Sequence, residues 1–316
     1  MVVSAPLDFV KRLAAELKEA GIPFAITSGM ACVHYGLQQT TKDSDWIIPP
    51  DDLERFCALL IRLEGAMPPW RVAYRPVFGA PVTSDYHQHG WTSHLALWDG
   101  AHTPEHHVDL FGRPPRVLGW ETDPEAPAFA SRHVVAQMKK TDRDKDWFAV
   151  DGLGLQEWLR GEVRGLLHAR SIAQLRLAWQ ACPAAARPDL VIRRPVLAQI
   201  EEGVSDERLE RLLHVERAVW QCVNRERYTA YQRAWKAFFR RWQEASAWSW
   251  PVGEPFWMQH QRVSQAARLH GLPREPLDAA GREAAFTQGL RRAANLTGAD
   301  DAELALACPP NSEILP

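Results

Sequence analysis

Asp43 and Asp45 stand two residues apart in the stretch Thr40-Thr41-Lys42-Asp43-Ser44-Asp45-Trp46-Ile47-Ile48, and Asp109 sits in Val108-Asp109-Leu110-Phe111. In extended chain, residues i and i+2 point to one face. Two carboxylates on one face repel each other and raise each other's pKa unless a cation lies between them. Mg²⁺, or Mn²⁺ in its place, relieves that repulsion with hard oxygen ligands. A third carboxylate on a neighbouring strand lets two ions be held, the arrangement that steadies the attacking and leaving oxygens of a phosphoryl displacement. Upstream, the Ser28-Gly29 pair follows the apolar run Phe24-Ala25-Ile26-Thr27. A turn of small residues offers backbone N–H groups to phosphate oxygens, and Gly29 allows close approach. Ser28 and Gly29 thus offer a site for phosphate oxygens, and Asp43, Asp45 and Asp109 a site for metal.

His87, His89, His94, His102, His106 and His107 crowd one stretch. In an extended strand His87 and His89 share a face that could ligate zinc, but no Cys or Glu at fixed spacing accompanies them. The alternative is that these histidines line the active side of a sheet or lie in loops. His107 shares the face of Asp109, two residues on.

The elements that must position these groups are readable from periodicity and punctuation. Leu7 to Ala20 is an amphipathic helix ended by Gly21. Met30 to Tyr35 begins a second, and Asp51 caps a third that runs to about Leu63. Strands are expected at Phe24–Thr27, Asp45–Ile48, Arg71–Val77, Trp91–Trp98 and His107–Phe111. From about Ala130 the pattern turns helical: Ser131–Lys140, Lys145–Leu153, Gln156–Gln180, Arg194–Glu202, Asp206–Ala247, Glu254–His270 and Gly281–Thr297. The tail from Cys308 to Pro316 reads as extended because of its prolines. The expected class is α+β: a mixed sheet flanked by helices over residues 1–150, then a mostly helical domain over 151–316.

Residues 21–48, GIPFAITSGMACVHYGLQQTTKDSDWII, resemble the signature region of the nucleotidyltransferase superfamily. The closer likeness is to the bacterial minor nucleotidyltransferases and to the nucleotidyltransferase-like toxins of abortive-infection, type IV toxin–antitoxin systems. In those families a strand, a Gly-Gly or Gly-Ser turn and a helix precede Thr-x-Asp-x-Asp on an apolar strand. Ser28 and Gly29 match the turn, Thr41, Asp43 and Asp45 the acidic motif, and Asp109 the third carboxylate. The run from Lys139 to Asp146 matches the helix pair that follows the sheet. The likeness covers about residues 1–155, and Ser28 departs from the family's usual Gly. It implies a catalytic domain over 1–150 that transfers a nucleoside monophosphate from a nucleoside triphosphate to RNA, tRNA, a protein or a small molecule, in the setting of a toxin with a cognate antitoxin. Ser28, Gly29, Thr41 and Lys42 then contact the nucleotide, Asp109 is the base, and Lys42, Lys139 or Lys140 neutralises developing charge, with Lys140 preferred. A non-catalytic nucleotide- or partner-binding module is the alternative that Ser28 favours.

The whole chain sets outer limits. Its 316 residues, 46% hydrophobic and 24% charged, suit a globular protein. A net charge of −2 demands neither nucleic acid nor membrane. No apolar run reaches membrane-spanning length. Five cysteines without a CxxC pair read as reduced thiols, and with no signal peptide the expected location is the cytoplasm. Between Arg217 and Arg241 basic residues, among them Arg217, Arg225, Arg233 and Arg240, alternate with Trp220, Tyr231, Trp235 and Trp242. That is either an RNA-facing surface or an amphipathic helix with its aromatics inside.

Overall fold

A computed structural model describes residues 5–66, 70–99, 106–245 and 249–316, with the side chains of 5–7 excepted. The chain divides into two compact units. The first holds Met1–Pro114, Thr122–Ala130 and Ala230–Pro276, and the second Pro115–Glu121, Ser131–Thr229 and Leu277–Pro316. A single cut at 150 therefore follows neither unit: helical chain from beyond 230 belongs with the sheet, and 131–150 belongs with the helices.

The first unit is built on α1 (Ala5–Glu19), β1 (Ala25–Thr27), α2 (Ser28–His34), β2 (Asp43–Ile47), α3 (Leu53–Glu64), β3 (Arg71–Tyr74), α4 (Ser84–His87), β4 (Thr92–Trp98), β5 (His106–Phe111), β6 (Thr122–Asp123) and β7 (Ala126–Ala130). The seven strands form one mixed sheet in the order β3-β4-β5-β2-β1-β7-β6. Strand β2 runs antiparallel to β1 and parallel to β5. The five expected strands are present, and β6 and β7 join them. Asp51 does not cap α3: a 3-10 turn, Pro50–Asp52, comes first, and Asp52 stands at the N-cap with its side chain paired to Arg55 rather than to the helix backbone.

Alternation along the strands separates the two faces. Ser44, Trp46, Leu95, Leu97, Val108 and Leu110 are buried, and Phe9 of α1 packs its ring on His106 at 4.1 Å. The opposite face carries Asp43, Asp45, His107, Asp109 and His94, all only partly buried. The edge strand β3 is closed by a side chain. Gln259, on a later helix of the same unit, accepts from the Tyr74 N–H at 3.0 Å and donates to the Val72 carbonyl at 3.2 Å. A buried amide thus stands in for the missing neighbour strand.

The second unit is helical. It contains α5 (Arg132–Lys139), α6 (Asp146–Leu159), α7 (Ile172–Ala181), α8 (Arg187–Arg193), α9 (Val196–Glu201), and the first part of α10 (Asp206–Gln243). After α11 (Phe256–Leu269), the helix that bears Gln259 in the first unit, come α12 (Ala279–Thr297), α13 (Asp301–Ala307) and α14 (Asn311–Ile314). Leu166, Leu175, Leu197, Leu209 and Leu212 form its core. Two expectations are corrected. The span Gln156–Gln180 is broken, because Gly161 turns at φ +87 and a 3-10 turn, Val163–Leu167, intervenes before α7. The tail is not wholly extended, since α14 begins directly after Pro309-Pro310, where Pro at a helix entrance has no N–H to lose. Helix α10 ends at Gln243, and the last residues of the span expected as helix, 246–247, lie outside those described.

Candidate functional site

Register carries the acidic residues into one row. Thr27 of β1 pairs with Asp45 of β2, Asp45 with Asp109 of β5, and Asp109 with His94 of β4. One step along, Asp43 pairs with His107, His107 with Ala96, and Ala96 with Ala73 of β3. Register partners share a face, so Asp43, Asp45 and Asp109 lie together on the polar side. Like charges directly opposed across strands are unfavourable on structural grounds. Their presence here needs a compensating cation or base.

The histidines supply part of that compensation. His94 Nδ1 donates to Asp109 Oδ1 at 2.6 Å, with Arg75 Nη1 3.9 Å from the same oxygen. His107 Nδ1 donates to Asp43 Oδ1 at 3.1 Å. No sequence signal marks out His94 or Arg75 for a role of its own. The alternation Ser93-His94-Leu95 puts His94 on the polar face, but only the β4–β5 register shows that it meets Asp109.

The turn comes up against this row from β1. Ser28 has φ +49, the left-handed region where a side chain is strained. A Cβ on Gly29 would stand 2.7 Å from Thr41 Oγ1, and that hydroxyl donates to the Asp43 carbonyl at 3.1 Å. Thus Ser28, Gly29, Thr41, Asp43, Asp45 and Asp109 are brought together, with Lys42 exposed beside them. Beyond His107 a cavity of about 860 Å³ extends over the small floor of Ala73 and Ala96, walled by Arg71, Arg75, Trp98 and Trp250. Arg71 lies 5.7 Å over the Trp98 ring.

The three carboxylates fit a hard divalent cation by donor type and by face. As the side chains stand, no three His, Cys, Asp or Glu groups among the described residues converge closely enough to share one. Asp43 and Asp109 are turned to their imidazoles, so sharing an ion requires rotation about their side-chain bonds.

Lys139 and Lys140 belong to the second unit. Lys140 is buried in the helical unit, where its ammonium donates to the Leu167 carbonyl at 3.1 Å and sits 4.3 Å over the Trp220 ring. Burial holds its pKa down at about 7. The Lys139–Asp146 run is a structural turn. Asp146, buried, takes Lys139 at 3.1 Å, Thr141 at 2.6 Å and Arg143 at 2.8 Å. Arg217 and Arg225 pair with Asp144 and Asp142. Arg233 and Arg240 are exposed, whereas Trp220, Tyr231 and Trp242 are buried.

His87 and His89 do not share a strand face, because His87 ends the short helix α4. His87 bonds Ser93 Oγ at 2.7 Å, and burial drives its pKa to about 3. His89 faces Glu275 at 3.7 Å, His106 bonds Ser44, and His102 lies outside the described residues. None of the five cysteines is in a disulfide. Among the described residues no helix is long and apolar enough to cross a membrane.

No family model matches the chain, and no curated protein matches it.

Proposed function

We propose that the first unit is a metal-dependent nucleotidyltransferase that moves a nucleoside monophosphate from a nucleoside triphosphate to an acceptor hydroxyl. The observation that carries this reading is the register of β1, β2 and β5. It gathers Asp43, Asp45 and Asp109 on one face beside a strained small-residue turn. Asp43, Asp45 and Asp109 would hold Mg²⁺, whose bound charge lowers the cost of the developing negative charge on the phosphates. Backbone N–H groups at Ser28 and Gly29 receive phosphate oxygens. Asp109 takes the proton from the acceptor hydroxyl as its oxygen bonds to the α-phosphorus and pyrophosphate departs. His94 orients the Asp109 carboxylate, and Arg75 and Lys42 add positive charge. The aromatic and guanidinium walls of the adjoining cavity suit a planar, anionic substrate portion. RNA or tRNA, a protein and a small molecule all remain acceptor classes, and a toxin with a cognate antitoxin is the setting in which such an enzyme fits.

The test is transfer of α-³²P label from each nucleoside triphosphate, with Mg²⁺, into total RNA and total protein. Asp45→Asn is expected to lower transfer by about 100-fold or more while the circular-dichroism spectrum is unchanged. Equal labelling by wild type and variant would remove the reading.

A second reading, a module that binds nucleotide without turnover, is favoured by one observation: Asp43 and Asp109 are already bonded to His107 and His94. It predicts nucleotide binding by calorimetry with no pyrophosphate release, and release with any acceptor excludes it.

A further inference from the structure

A second cavity, of about 500 Å³, lies in the first unit away from the acidic row. Its floor is Ile26 of β1 and Phe129 of β7, which are register partners. Ile26 pairs with Trp46, whereas Thr27 pairs with Asp45, so by alternation this floor is the reverse side of the sheet from the carboxylates. Val10 and Ala14 of α1 and Met30 and Val33 of α2 form the walls. The space stays open because α1 presents Ala14 and Ala15 there, with Ala14 buried and Ala15 at the exposed mouth.

The rim differs in kind from the walls. Lys11 and Lys18 are seven residues apart on α1, two turns, and so lie along one edge of the opening. Both are exposed, and neither makes an ion pair among the described residues. His34 lies flat on Phe129, with ring centroids 4.0 Å apart and planes 4° apart. An apolar chamber of this volume accepts a small molecule. Two like charges at its mouth repel each other, and a single anion placed between them is attracted to both.

We propose that this cavity binds an amphipathic monoanion, with its hydrocarbon body against Ile26, Met30 and Phe129 and its acid group between Lys11 and Lys18. The site is independent of the acidic row and of any activity there, so its test needs no nucleotide.

Calorimetric titration of the full chain with hexanoate, octanoate, decanoate and decanol, all below micellar concentration, reads the proposal directly. Carboxylate affinity is expected to rise about fourfold per added methylene, and decanoate is expected to bind at least about tenfold more tightly than decanol. Lys11→Gln with Lys18→Gln brings decanoate down to the affinity of decanol. Ala15→Trp closes the mouth from an exposed position, so it leaves the thermal melting curve in place and abolishes binding. Three results overturn the proposal: no decanoate binding, equal binding of decanol and decanoate (a neutral apolar occupant), or unchanged binding by the folded Ala15→Trp variant.

Discussion

Ser28 is the residue where local strain and the proposed chemistry meet. A non-glycine side chain at φ +49 costs on the order of 1 kcal/mol or more. Ser28→Gly is therefore expected to raise stability by about 1 kcal/mol in urea denaturation. A loss of stability would mean that the Ser28 side chain makes contacts worth more than the strain. Gly29 is constrained in the opposite sense. A Cβ there meets Thr41 Oγ1 at 2.7 Å and can be accommodated only by turning a hydroxyl that donates to the Asp43 carbonyl. Gly29→Ala is expected to cost about 1–3 kcal/mol and to disturb the Asp43 loop. His94 has its own consequence: His94→Phe removes the bond to Asp109 Oδ1 but keeps the ring. If Asp109 acts as base, that variant loses transfer rate by about 10-fold or more with nucleotide affinity retained, and an unchanged rate would deny His94 an orienting part.

Among the elements, β3 is the exposed liability of the sheet, because an edge strand has one row of unpaired backbone groups. Gln259 satisfies the Tyr74 N–H and the Val72 carbonyl, and Glu64 accepts from both the Val72 N–H at 3.4 Å and the Phe256 N–H at 2.8 Å. Gln259→Leu keeps the bulk and strands buried polar groups, so a loss of about 2–3 kcal/mol is expected in chemical denaturation. In the helical unit the corresponding tight spot is Gly289 of α12, where a Cβ would stand 2.7 Å from the Cα of Val223. That backbone contact cannot be relieved by a rotamer change. These tertiary contacts were invisible in the sequence, where Gln259 is one polar residue of an ordinary amphipathic helix.

Across the whole molecule, buried neutral histidines set a common response to acid. Burial lowers the pKa of His87, in the first unit, and of His133, in the second, to about 3. Burial likewise pushes His168 well below the ordinary histidine value. These folded-state pKa values are depressed below the unfolded value near 6.5, so below that pH the unfolded chain binds protons that the fold excludes. Stability is therefore expected to fall as pH drops from about 6.5 towards 3, by roughly 1 kcal/mol per pH unit for each such histidine. Urea midpoints between pH 7 and 4 measure this, and a flat profile would contradict the neutral, buried assignment. Lys140 acts at the other end: with its folded pKa near 7, stability rises as pH goes from about 7 towards the ordinary lysine range.

Much of the first unit was legible because its signals are local. The apolar run before Ser28-Gly29, the alternation through Asp43-Ser44-Asp45-Trp46 and the stops at Gly21 and Pro49 each act over a few residues. They determined five of the seven strands, the α+β class and the shared face of Asp43 and Asp45. They could not reveal β7, which earns its place only by pairing with β1 at Ile26 and Phe129. Nor could they place the 230–276 stretch beside the sheet, or send Lys140 into a buried corner over Trp220. Which strand lies next to which is decided by contacts between residues far apart in the chain. So the joining of Asp45 to Asp109, and of Asp109 to His94, belongs to the tertiary structure, while the carboxylates themselves and the faces they point to belong to the sequence.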